Sequence, residues 1–168
     1  NTSLPRYIGS TASTYEILPS LGKASPTNLG YSYSRFSGFI SFLPNKFFEF
    51  KAGVGKNFIG EGYRSLLLSD NAFQYPYLRI NTTFWKLRYT NLFCMMDDIQ
   101  TQTNFSGRKT KKFTSIHLLD WNISKRMNIG IFESVVWQSK DTLYNRGFDM
   151  NYLNPVIFYR AIEHNLNS

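Results

Sequence analysis

The chain has a single cysteine, Cys94, among 168 residues. An intrachain disulfide is therefore excluded, and the apolar run Leu92-Phe93-Cys94-Met95-Met96 marks Cys94 as a small strand hydrophobe. Only two histidines, His117 and His164, accompany it, so a zinc site of ordinary ligand spacing is excluded too. No stretch approaches about 18 consecutive apolar residues, which rules out a transmembrane helix. Little Ala, Leu or Glu is available for amphipathic helices, so a helical bundle is not expected. No signal peptide is visible. The chain opens on Asn1 without Met and closes on Asn167-Ser168. The expectation is an internal piece of a longer protein, for which a missing leader is no argument for the cytoplasm.

What is present has a different character. Aromatic residues make up 17 %, with fifteen Phe and eleven Tyr, while charged residues are only 18 %. That aromatic content excludes a disordered chain and suits strands with one apolar and one polar face. The formal net charge is +8. A basic balance suits nucleic acid, an anionic membrane surface or an anionic polymer. Apart from Arg108-Lys109-Thr110-Lys111-Lys112, the cations are scattered rather than gathered on one helix or patch. No nucleic-acid partner is expected, and this run reads as a solvated loop.

Residues 1–30 are rich in Ser, Thr, Gly and Pro without sustained period, and read as a loop-rich segment. From about Tyr31 the pattern turns to strands. The expected strands are 36–43, 47–54, 77–84, 87–96, 112–121 and 127–137, with a seventh over 156–164 after Asn154-Pro155. In the second, Phe48, Phe50, Ala52 and Val54 alternate with Phe47, Glu49, Lys51 and Gly53. In the third, Leu78, Ile80, Thr82 and Phe84 alternate with Tyr77, Arg79, Asn81 and Thr83. Two strands leave their phase unresolved. Glu133 shares a face with Ile129, Ile131 and Trp137, and His117 with Phe113 and Trp121. Either a bulge changes the phase or that face is not wholly lipid-facing.

The connections alternate between short and long. Pro44-Asn45-Lys46, Trp85-Lys86 and 122–126 are tight; 55–76, 97–111 and 138–152 are long, with a short helical turn expected near Arg64 to Ser69. Sorting of loop lengths by end is the pattern of an up-and-down barrel in the bacterial outer membrane, with short periplasmic turns and long external loops. Strands of about eight to eleven residues fit a tilted span, and Tyr77, Trp85, Trp121 and Trp137 near strand ends fit interfacial girdles. The expected fold class is all-β: a transmembrane antiparallel up-and-down β-barrel of which six to seven strands lie in residues 31–168. Seven strands cannot close such a barrel, so further strands are expected elsewhere.

Residue patterns bear on several chemistries. Gly53-Val54-Gly55-Lys56 and Gly60-Glu61-Gly62 lack the Gly-Lys-Ser/Thr ending of a phosphate loop. Sequons at Asn81, Asn104 and Asn122 carry no role in a bacterial barrel. Ser115 and His117 share a strand face, which leaves an outer-membrane hydrolase as an alternative; a soluble ligand-binding β-domain is another. No cofactor and no metal are expected. Glu49, Lys51, Arg79, Arg88, Glu133 and Arg160 are expected to form a lumen charge network. Aromatic and amide side chains crowd the long connections, and such groups stack on sugar rings and bond hydroxyls. Asn57, Tyr63, Arg64, Asn71, Tyr75, Tyr144 and Arg146 are the candidate polysaccharide-binding residues.

The stretch from Gly55 to Ala72, with Gly60-Glu61-Gly62-Tyr63-Arg64-Ser65-Leu66-Leu67-Leu68-Ser69-Asp70-Asn71-Ala72, resembles the capsule assembly protein Wzi family. Leu87-Arg88-Tyr89-Thr90 resembles that family's next strand, and Asn154-Pro155-Val156-Ile157-Phe158-Tyr159-Arg160 its later Asn-Pro segment. From about Phe39 to Asn167 the chain looks closest to the gliding motility RemB branch. The resemblance implies an outer-membrane barrel, not an enzyme. It further implies that such a barrel holds or organises surface polysaccharide, as in the capsule branch, or serves surface motility. Its expected partners are an acidic surface polysaccharide and outer-membrane lipid.

Overall fold

A computed structural model describes residues 17–18, 22–28, 30–60, 65, 67–98 and 111–138. Among these the protein is all-β and every pairing is antiparallel. Two compact units are present. One comprises residues 1–39 and 53–76, the other 40–52 and 77–168.

The first unit holds a small antiparallel sheet of β1 (Ile17–Leu18), β2 (Gly22–Thr27) and β3 (Gly30–Tyr33), in that order. These strands fall partly in the stretch expected to be loop. Their Gly, Ser and Pro content hides them, because such residues carry little strand signal. Gly30, paired with Thr27 where β3 begins, holds φ 142°, a conformation open to glycine and few others.

The larger sheet runs β4 (Gly38–Phe42), β5 (Phe48–Gly55), β6 (Tyr75–Phe84), β7 (Leu87–Asp97), β8 (Lys111–Ser124) and β9 (Met127–Gln138), each beside its sequence neighbour. This is the up-and-down order expected. Among the described residues the sheet is open, with β4 and β9 at its edges. The expected seventh strand lies outside the described residues.

Glycine permits one close approach. A Cβ on Gly53 would lie 2.3 Å from the Gly38 carbonyl oxygen and 2.7 Å from the Phe39 Cα. Backbone cannot yield to that contact as a flexible side chain could.

Registers assign the faces. Across β6 to β9, Ile80 stands opposite Asn91, Asn91 opposite His117, and His117 opposite Glu133. Alternation puts Leu78, Phe84, Phe93, Ser115, Trp121, Ile129 and Ile131 on that same side. We call it the His117 face. The other side carries Arg79, Asn81, Arg88, Thr90, Leu92, Ile116 and Asp120, and is called the Arg79 face. Asn81 bonds Glu49, so Glu49 and Lys51 share the Arg79 face and Phe48 and Phe50 the opposite one.

The core sits at the centre of β7 and β8. Leu92 and Ile116, opposite one another, are 1 % and 2 % exposed. The outer strands are bare by contrast: Phe39, Ile40 and Phe42 on β4, Phe48 and Phe50 on β5 and Ile129 and Ile131 on β9 are all exposed. A bulge at Asn122/Ser124 breaks the β8–β9 register near the turn. Above it the phase of β9 runs unbroken to Glu133. No bulge changes the phase there, so Glu133 shares the His117 face with Ile129 and Ile131.

Candidate functional site

Three polar arrangements stand out. The first is in the connection from β5 to β6. Asn57 and Tyr75 are both buried, and the Asn57 backbone N–H donates to the Tyr75 hydroxyl at 3.2 Å. The Asn57 side-chain nitrogen is buried with no hydrogen-bond partner among the described residues. Leaving a buried amide donor unpaired costs about 1–3 kcal/mol.

Further along, Ile59 and Leu68 close an antiparallel bridge, with Ile59 N–H donating to the Leu68 carbonyl at 2.9 Å. The Ser65 hydroxyl donates to the Ile59 carbonyl and accepts from Leu67 N–H at 3.0 Å. This bridge stands at Leu68, where a helical turn was expected. The reason is local: the serine hydroxyl competes with the backbone for partners and favours a turn.

Of the candidate sugar-binding residues, this segment brings Asn57 and Tyr75 together. Tyr75 is 2 % exposed, so its ring offers no face for stacking. Asn71 is exposed, its N–H bonded to the Ser69 hydroxyl at 3.2 Å. Tyr63, Arg64, Tyr144 and Arg146 lie outside the described residues.

The second arrangement is on the Arg79 face. Asn81, 4 % exposed, donates from its amide to the Glu49 carboxylate at 2.7 Å. Its carbonyl accepts from Arg79 Nε at 3.1 Å and from the Thr90 hydroxyl at 2.9 Å. The amide thus links carboxylate to guanidinium, each bond strengthened by the charge on its partner. Glu49, Lys51, Arg79 and Arg88 share this face, and Arg88 stands opposite Asp120. Glu133 lies on the other face, and Arg160 lies outside the described residues.

The third is on the His117 face. His117 Nδ1 is 2.6 Å from Asn91 Oδ1 and 3.2 Å from the Tyr89 hydroxyl; Nε2 is 3.0 Å from the Ser115 hydroxyl. An amide oxygen only accepts, so Nδ1 carries the proton. In the neutral ring Nε2 then accepts from Ser115. Serine, histidine and amide stand in the order of a hydrolase relay.

Other parts of hydrolase chemistry are poorly served here. Ser115 is 1 % exposed and His117 5 %, leaving a substrate no approach. Strand β8 is paired on both sides through this stretch. Its amides are engaged in those ladders rather than held ready for an oxyanion.

The sequence pattern gives no bonding role to Asn81, Asn91 or Tyr89. A signal existed for the two amides, since Asn is disfavoured inside strands. Comparison of the chain with protein families, with curated proteins and with solved structures finds no match.

Proposed function

We propose that this chain is part of a bacterial outer-membrane β-barrel of the Wzi/RemB type, a non-enzymatic surface protein that organises an acidic polysaccharide. One observation carries the membrane part of the reading. On the sheet's His117 face, Phe48 and Phe50 on β5, Leu78 and Phe84 on β6, Trp121 on β8 and Ile129 and Ile131 on β9 are exposed. Exposed apolar surface on that scale is unfavourable in water and favourable against lipid.

Dimensions agree with this. Strand β7 has 11 residues. At about 3.3 Å per residue and a tilt of roughly 40°, it spans about 28 Å along the membrane normal, close to the roughly 30 Å of a hydrocarbon core. The polar row Asn91, His117 and Ser115 crosses the same face but is buried and bonded within itself, which limits its cost in lipid. Open edges at β4 and β9 call for further strands, since unpaired backbone is not tolerated in lipid.

The polysaccharide part rests on the connection 55–76 and on the family resemblance. Asn71, exposed on that connection, offers an amide suited to a sugar hydroxyl or uronate oxygen. Replacement of Asn71 by Ala, and separately of residues 61–66 by a Gly-Ser linker, is tested on the full-length protein in its own cells. Loss of cell-bound polysaccharide with unchanged protein level is the expected result. Unchanged polysaccharide with impaired spreading would move the reading to surface motility.

The Ser115–His117–Asn91 order gives an outer-membrane hydrolase its one specific support. A fluorophosphonate probe decides between the two readings. Labelling that Ser115→Ala abolishes would establish the hydrolase; an unlabelled folded protein leaves the trio as a buried lock between β7 and β8.

A further inference from the structure

The tight-turn end of the six-stranded sheet carries a feature that the polysaccharide reading does not use. The three turns joining β4 to β5, β6 to β7 and β8 to β9 all fall at this end. Each pairs cations with exposed apolar side chains. Lys46 lies over the Phe47 ring at 5.0 Å, and Lys86 over the Trp85 ring at 5.3 Å. Lys125 and Arg126 form the third turn, flanked by exposed Trp121 and Met127.

Hydrogen bonds tie the turns into one rim. Thr83 N–H donates to the Phe47 carbonyl at 2.8 Å, and Asn122 N–H to the Lys86 carbonyl at 2.9 Å. The Lys86 ammonium donates to the Ile123 carbonyl at 3.0 Å. The Phe47 and Phe84 rings sit 6.0 Å apart, joining the first turn to the second.

Two observations point outward from this rim. Lys46, Lys86, Lys125 and Arg126 are all exposed, and none forms an ion pair among the described residues. At the opposite end Lys111 is paired with Asp97. Moreover, Trp85 is 74 % exposed and holds φ 54°. A two-residue hairpin turn ordinarily gives that conformation to Asn, Asp or Gly. A strained indole facing outward suggests a role outside the turn.

Indole rings settle at the level of lipid headgroups, and lysine and arginine beside them reach the phosphates. We infer that this rim binds anionic phospholipid headgroups, with Lys46, Lys86, Lys125 and Arg126 on the phosphates and Phe84, Trp85 and Trp121 at the acyl boundary. The inference rests on the barrel reading and names a lipid partner for the end away from the polysaccharide. Cations close to an anionic bilayer each favour association about fivefold, so four acting together give a measurable lipid preference.

The test uses the full-length protein in mixed micelles, reading the temperature at which the unboiled folded band disappears on a detergent gel. Phosphatidylglycerol is expected to raise that temperature by several degrees over phosphatidylcholine. The quadruple variant Lys46→Gln, Lys86→Gln, Lys125→Gln, Arg126→Gln is expected to keep the folded band and lose the difference. Because Lys86 also bridges two turns, the triple variant retaining it is measured alongside and is expected to lose most of the difference. Equal effects of the two lipids, or a difference that survives in the quadruple variant, would overturn the rim inference and leave the barrel standing. An equal rise with inorganic phosphate alone would overturn the lipid as the source. The absence of any heat-sensitive band would overturn the barrel reading and the rim with it.

Discussion

The two ends of the larger sheet are built differently. At one end the chain reverses in two-residue turns, Trp85-Lys86 and Lys125-Arg126, with bare aromatics and cations that form no ion pair among the described residues. At the other, charges are met by neighbours: Lys111 pairs with Asp97, and Gln138 donates to Asp98 at 2.9 Å. Between them lies a middle whose side chains are buried, as at Leu92, Asn91, Ile116 and His117. Stability should therefore reside in the middle, while the tight-turn end should respond to its surroundings.

Substitutions can break or sharpen that contrast. The largest effect is expected in the middle. Leu92→Ala or Ile116→Ala removes one half of a fully buried cross-strand pair and should cost about 2–5 kcal/mol. Reversible unfolding in detergent with urea measures it. Next is Gly53→Ala, whose added carbon would strike the Gly38–Phe39 backbone. A loss of about 1–3 kcal/mol is expected, and a loss no greater than that of an exposed Ala substitution would contradict the close approach.

Asn81→Ala should follow. It leaves Glu49, Arg79 and Thr90 without their shared partner, at about 1–3 kcal/mol. Arg79→Leu acts on the same network and should weaken folding in detergent more than Phe50→Leu does. Equal losses would undo the assignment of the two faces. The smallest effect carries an opposite sign. Trp85→Asn relieves a left-handed tryptophan and should stabilise the detergent-solubilised protein by up to about 1 kcal/mol, while reducing its preference for anionic lipid. A loss of stability in plain detergent would show that the ring, rather than the strain, dominates at that turn.

Much of the larger sheet was legible in the sequence because period-two alternation is strong there. Strands expected at 77–84 and 87–96 form as Tyr75–Phe84 and Leu87–Asp97, and Trp85-Lys86 is the turn between them. The last tight link proved shorter than expected. Strand β8 runs on to Ser124, because the bulge near Ile123 lets polar residues continue the ladder. Strands β1 to β3 were not legible, since Gly, Ser and Pro mask pairing that depends on backbone alone.

The candidate site was legible only in part. Asn57 and Tyr75 meet, though 18 positions apart, but sequence could not foretell that the tyrosine ring would be buried. Ser115 and His117 could be placed on one face from their spacing of two. Asn91 enters their relay only through the register of β7 on β8, and cross-strand register is not written in any single strand. Glu49 reaches Asn81 across 32 positions for the same reason.

The most direct test of the central claim uses the full-length protein in its native membranes. The outer-membrane fraction is run on a detergent gel, boiled and unboiled. A closed barrel resists the detergent until heated, so the account expects the protein in that fraction with a mobility shift on boiling. A protein that fractionates as soluble and shows no shift would contradict it, and a soluble ligand-binding β-domain would take its place.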